Sequence, residues 1–307
     1  NTNNILEECS IEFEYKTAKN KKAFTGSPAE DIALIRQECT KGLQYRFGTQ
    51  PSQSVLDRVE KELSVILQLD FCSYFLINWD MVSYARHKGY CYVGRGSGAN
   101  SMVAYLLRIT DVDPLELDLY FERFINPYRS SPPDFDIDFS SRDRNDVTRN
   151  LFDTHGWDHT ALVGTYSTFQ YRSMLRELGK VFGLPAREIE KIQAARDFTG
   201  LDDISRLVVK YSKLINGFPS HLSVHSSGII ISDQTISTYG ATIMPPKGFP
   251  TVFFSMIEAE DIGLSKFDVL GQRGLSKIKD SIKLIEDNTG DTVDIYDFRK
   301  FKKDKKV

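Results

Sequence analysis

The sequence predicts an α+β fold: a mixed sheet with helices packed on one face and a helical block inserted between its strands. Three observations carry this expectation. Apolar residues recur at helical spacing through the first third of the chain, as at Val55, Val59, Leu63 and Ile66. Short alternating or β-branched runs follow from about residue 90, without the regular strand–helix rhythm of a parallel α/β sheet. Between two such runs, residues 166–217 are helical in pattern and lean basic.

Residues 1–26 are polar and mixed, and read as a worn edge or a strand pair. Ser27-Pro28 opens a helix, with serine as N-cap and proline at the first helical position, and Gly48 and Pro51 end it after Phe47. Ser52 or Ser54 caps the next helix, and a third covers about Tyr74 to His87 before Gly89. Tyr90–Val93 is a short strand, Gly94–Gly98 a glycine-rich loop, and Asn100 or Ser101 caps a helix through Leu107. Asp134–Phe139 is a strand, Arg144–His155 a helix and residues 160–164 a strand. After the helical block, Val224–Ser232, a run near Val252–Phe254 and Leu264–Leu270 are strands, and Gly274–Glu286 is a helix. No internal repeat is present.

The 307 residues, 41% hydrophobic and 26% charged, suffice for one large domain or two modest ones. No apolar run reaches the ~20 residues of a membrane span, so no membrane partner is expected. Cys9, Cys39, Cys72 and Cys91 form no C-x-x-C pair, and a reducing cytoplasm is the default. Net charge is −3, which argues mildly against a nucleic-acid partner unless cations are gathered locally. The start at Asn1 and the lysine-rich end both read as excision points, so a piece of a longer protein is expected.

The segment PPDFDIDFS carries the most chemistry. On a strand, Asp134, Asp136 and Asp138 share one face, ~7 Å apart along the chain, and Phe135, Ile137 and Phe139 share the other. Crowded carboxylates repel, and a divalent cation with oxygen ligands removes the penalty. A solvated edge using acids against aggregation is the competing reading. VGRGSGANS fits strand–loop–helix, where backbone N–H groups, Ser97 and Arg95 can meet a phosphate; it is neither a Walker A loop nor a dinucleotide fingerprint, and a plain tight turn fits it equally. A glycine-serine loop, then a D-x-D strand, then one more aspartate on a separate strand is the layout of the polymerase-beta-like nucleotidyltransferase palm. The last aspartate is Asp268 in GLSKFDVLG, with Lys266 on its side of the strand.

SYFLINWDMVSYARHKG, VGRGSGANSMVAYLLRITDVDPLELDLYFERFINPYRSSPPDFDIDF, VHSSGIIIS and GLSKFDVLG resemble, in this order, motifs of the bacterial family C DNA polymerases, the family of the DNA polymerase III alpha subunits. The resemblance runs from about residue 60 to 290. VGRGSGANS departs in lacking a proline after its first glycine and in having Asn100 where glycine is frequent, which bears on the tightness of the loop. The resemblance implies Asp134, Asp136 and Asp268 as catalytic, metal-holding residues, with two Mg²⁺ ions in the presence of substrate, and leaves Asp138 less certain as a ligand. It implies Gly96, Ser97, Arg95, Arg123 and Lys266 as contacts to a deoxynucleoside triphosphate or the DNA backbone.

It also implies domains at 1–165 and 225–275 (palm), 166–224 (an inserted helical thumb) and 276–307 (the start of the fingers). Primer–template DNA is the implied partner. A sliding clamp, proofreading and clamp-loader subunits would bind through regions mostly outside this chain, at the nucleoid in the cytoplasm. Arg172, Arg176 and Lys180, with Arg187, Lys191 and Arg196, recur at helical spacing and could follow a duplex; solvated helix faces carry such charges too. The lysines between 300 and 306 read as a frayed end. His221 and His225 read as structural or DNA-backbone contacts. The competing functions are a non-templated nucleotidyltransferase and a folded DNA-binding module without activity of its own.

Overall fold

The computed structural model describes residues 2–9, 12–126, 128, 133–195 and 197–297. Arg196, the lysines between 300 and 306, and part of the stretch before Asp134 lie outside the described residues. The chain divides into two compact units, residues 1–163 with 226–307, and residues 164–225.

In the larger unit, α1 (Thr2–Glu8) stands where a worn edge or strand pair was expected. α2 (Pro28–Phe47) begins as the sequence dictates: Ser27 is extended, its hydroxyl accepts from the Glu30 N–H, and Gly48 ends the helix at φ +76°. Buried Asp31, in the first turn, accepts from the N–H groups of Phe24 and Thr25 and from the Thr25 hydroxyl, folding the preceding chain back onto the helix. α3 (Gln53–Gln68) buries Val55, Val59, Leu63 and Ile66, as their spacing predicts. α4 (Cys72–His87) buries Cys72–Asn78 without a break, as a helix enclosed on all sides does. No single helix among the described residues is long and apolar enough to cross a membrane.

Next come β1 (Tyr92–Arg95), a 3₁₀ turn (Gly96–Asn100), α5 (Met102–Leu106), β2 (Asp136–Ser140) and α6 (Arg144–His155). α2 lies close against α5 because Gly42 has no side chain: a Cβ there would stand 2.3 Å from the Leu106 carbonyl oxygen. β3 (Thr160–Thr168) leads into the smaller unit and β4 (Pro219–Ile231) returns from it. β3 runs four residues beyond the expected end, and β4 starts five before its expected start. The alternation of small polar and β-branched residues there carries no apolar stripe to mark a strand.

In the smaller unit, α7 (Tyr171–Val181), α8 (Ala186–Ala194) and α9 (Asp203–Ser212) enclose Leu175, Ile192, Val208 and Val209. The larger unit closes with β5 (Thr242–Ile243), β6 (Thr251–Val252), α10 (Met256–Ile262), β7 (Lys266–Gln272) and α11 (Arg273–Thr289). β5 and α10 were not expected; both are too short for periodicity to show.

The seven strands form one mixed sheet in the order β1-β2-β7-β4-β3-β6-β5. β2 and β7 are parallel, and each is antiparallel to its other neighbour, β1 and β4 respectively. The observed class is therefore the expected α+β sheet with packed helices. α11 is fastened to the end of β2: Arg142 pairs with Asp280, Lys279 with Asp143, and Ser276 meets Ser140 and Ser141.

Candidate active site

Alternation along β2 sets the site. Phe135, Ile137 and Phe139 are buried, while Asp136 and Asp138 turn to the other face, where the Arg95 guanidinium bonds both, at 3.2 Å and 2.9 Å. β1 supplies that arginine because Arg95 pairs in register with Asp136. β7 lies on the other side of β2, with Asp268 in register with Asp136. Lys266, two residues earlier on the same face, bonds Asp268 and stands 3.5 Å from Asp134. Ser227, on β4, donates to the other oxygen of Asp268 at 2.7 Å.

Support comes from below. Tyr74, buried on α4, stacks on Phe135 and on Phe267, the apolar neighbours of the aspartates on two strands. Its hydroxyl accepts from the Phe135 N–H, which precedes the first ladder bond of β2.

The 3₁₀ turn closes the rim. Gly96 has φ +75°, and a Cβ on it would sit 3.0 Å from an Asp136 oxygen, so the backbone approaches the carboxylate as only glycine allows. Gly94 lies against the Ile109 carbonyl, where a Cβ would come to 1.9 Å. The half-buried Ser97 hydroxyl makes no hydrogen bond among the described residues.

The four carboxylates at 134, 136, 138 and 268 meet two cations, Arg95 and Lys266, which leaves a formal excess of two negative charges. Burial pushes the Asp136 carboxyl above its usual range; Arg95 opposes this, and Asp268 and Asp134 add to it. Asp138 and Asp136 hold Arg95 above its ordinary value, and Asp268 and Asp134 do the same for Lys266, in both cases against the effect of burial. An all-oxygen donor set with this residual charge fits a hard divalent cation in donor type. Among the described residues no three His, Cys, Asp or Glu side chains close to metal-holding distance, and Arg95 and Lys266 stand among the carboxylates.

The structure thus brings together Asp134, Asp136, Asp268, Arg95, Gly96 and Lys266. No hydrogen bond or ion pair joins Arg123 to this group; it is exposed at the end of a short turn, Phe121–Arg123. Arg172, Arg176 and Lys180 belong to the smaller unit and line one exposed face of α7, where Arg176 and Lys180 both bond Glu177.

Ser227 and Glu62 were missed from sequence, and Asp138 was read there only as one of three carboxylates on a shared strand face. Asp138, buried and held by Arg95 and Gln272, anchors the arginine. Ser227 sits in VHSSG, but its meeting with Asp268 depends on strand register. Glu62, on α3, accepts from the Met102 and Val103 N–H groups just after the 3₁₀ turn, and had no sequence signal beyond an ordinary helix.

A sequence profile described as the bacterial DNA polymerase III alpha NTPase domain matches residues 33–271. The chain belongs to this family. Its relatives include the DNA polymerase III subunit alpha of Halalkalibacterium halodurans, 32% identical over 96% of this chain and 28% of that protein. The same subunit of Bacillus subtilis is 33% identical over 95% of this chain and 28% of its own length. A protein named error-prone DNA polymerase, from Symbiobacterium thermophilum, is 32% identical over 94% and 28%. The chain therefore spans little more than a quarter of these relatives. The polymerase III alpha profile ends at Gly271, one strand position before Gln272 meets Asp138, so it includes every carboxylate of the site.

Proposed function

We propose that this polymerase III alpha chain carries the nucleotidyl-transfer centre of template-directed DNA synthesis, in a palm of the polymerase-beta type. The observation that supports it best is the side-by-side register of Asp136 and Asp268 beneath a glycine turn. On this reading residues 1–165 and 225–275 are palm, 166–224 an inserted thumb that follows the duplex through Arg172, Arg176 and Lys180, and 276–307 the start of the fingers.

In the reaction the primer 3′-OH attacks the α-phosphate of a deoxynucleoside triphosphate, and pyrophosphate leaves. Asp134, Asp136 and Asp268 would hold magnesium, which when bound supplies Lewis acidity to the attacking and leaving oxygens. The chain's own groups do the positioning. The Gly96–Ser97 backbone lies open beside Asp136, with a hydroxyl that has no hydrogen bond among the described residues, a surface a triphosphate can approach. Arg95 offers its guanidinium from the edge of the carboxylate cluster, and Lys266 its ammonium from within, as fixed positive charge for the phosphates. Arg123 would extend that charge along the rim. Ser227 keeps Asp268 aimed, and Asp138 keeps Arg95 aimed.

The test is Asp136→Asn in the intact protein that carries this chain. Primer extension falls by about a thousandfold or more, while primer–template affinity stays near that of the parent. Extension at the parent rate overturns the assignment.

A further inference from the structure

Away from the carboxylates, one buried ion pair lies behind the turn that the proposed reading gives to the triphosphate. Glu62, on α3, is completely buried. It accepts from the Ser101 hydroxyl at 2.8 Å, the Met102 N–H at 3.0 Å, the Val103 N–H at 3.1 Å and Arg58 Nε at 2.6 Å. Those first three donors are the N-cap and first turn of α5, the helix that follows Gly96–Asn100. Arg58 in turn donates to the carbonyl oxygens of Asn100, the last residue of the turn, and of Leu119, which precedes the short turn bearing Arg123.

A buried carboxylate is costly unless its oxygens are fully engaged, and one that engages a helix start in this way fixes that backbone. Burial nevertheless holds Glu62 above the usual carboxylate range against all four donors. The start of α5 is therefore spoken for by a protein anion. The backbone that approaches the carboxylates is the 3₁₀ turn instead, at Gly96 beside Asp136.

We propose that Arg58 and Glu62 are positioning residues for nucleotide binding, acting by locking the Gly96–Asn100 turn from behind, so that its own N–H groups, Ser97 and Arg95 meet the triphosphate. The inference rests on the reading of the site as a nucleotidyl-transfer centre. The lock on the turn can be tested separately from activity.

The experiment uses Arg58→Lys and Glu62→Gln in the intact protein. Arg58→Lys keeps a cation beside Glu62 but removes the fork that reaches both carbonyls. Hydrogen exchange is followed in peptides covering residues 93–103, with peptides of β2 and β7 as internal controls. Steady-state kinetics give KM for the nucleotide and kcat separately. Both variants exchange faster in the turn by about tenfold, with the control peptides unchanged. The nucleotide KM rises by about tenfold and kcat changes less.

Turn exchange and KM at parent values in folded Arg58→Lys overturn the proposal, and so does a change confined to Tm. If the turn loosens but the unsubstituted protein extends no primer, the lock stands and the polymerase reading fails. Should Glu62→Gln not fold, Arg58→Lys alone decides.

Discussion

Asp136 and Asp268 stand in register on neighbouring parallel strands, so two carboxylates far apart in the chain share one face of the sheet. Burial first, with the charges of Asp268 and Asp134 adding to it, holds Asp136 above its usual range despite Arg95. Removing one charge relieves this. In a chelating buffer, Asp136→Asn should therefore unfold at a Tm equal to or higher than the parent, with a gain below about 1 kcal/mol because the side chain is partly exposed. Thermal melts in EDTA check it. A drop of several degrees would mean that Asp136 is held by contacts more than it is crowded by neighbours.

Tyr74 joins the two strands from below. Tyr74→Phe keeps the stack on Phe135 and Phe267 but strips the acceptor from a buried N–H, at a cost of about 1–2 kcal/mol. Tyr74→Ala removes the wedge and costs about 3–5 kcal/mol. Urea unfolding measures both; equal losses for the two substitutions would show that the ring contributes little.

His155 is buried, with Lys21 close to Nδ1 and Nε2 without a hydrogen-bond partner among the described residues. Burial first, and then Lys21, lowers its pKa from 6.5 to about 4. Between those values the unfolded chain binds the extra proton and the folded one does not, so this contribution is present above pH 6.5 and is lost as pH falls towards 4. The loss is roughly 3 kcal/mol. In His155→Phe the slope of stability against pH in this window should flatten by about one proton's worth, as read from denaturation at a series of pH values. An unchanged slope removes His155 from the acid sensitivity.

In the smaller unit, Glu177 takes both Arg176 and Lys180, two of the three cations expected to follow DNA. Glu177→Gln frees them. DNA affinity should rise, and the slope of log K against log salt should steepen by up to about 2. Fluorescence anisotropy across a salt series reads both; a slope no steeper than the parent's takes this face of α7 out of the DNA contact.

Local chemistry was legible where it repeats along the chain. The alternation in PPDFDIDFS showed which side chains share the apolar face of β2 and which share the carboxylate face, Ser27-Pro28 and Gly48 bounded α2, and the four apolar positions of α3 marked its buried face. β5 and α10 were not legible, being shorter than any period. The ends of β3 and β4 were misplaced because polar residues form strands there only by pairing with distant chain.

The sequence by itself determined the ingredients of the site: three aspartates of alternating register, a glycine turn flanked by Arg95 and Ser97, and a lysine two residues from the last aspartate. It determined these because side-chain direction along one strand or turn is a local property. Only the tertiary structure decided which strand lies beside which, and hence that Asp268 meets Asp136 and Ser227, that Asp138 anchors Arg95, and that Glu62 takes the start of α5. Those meetings depend on sheet order and helix packing between residues distant in the chain, where burial free energy selects one arrangement and no local pattern records it.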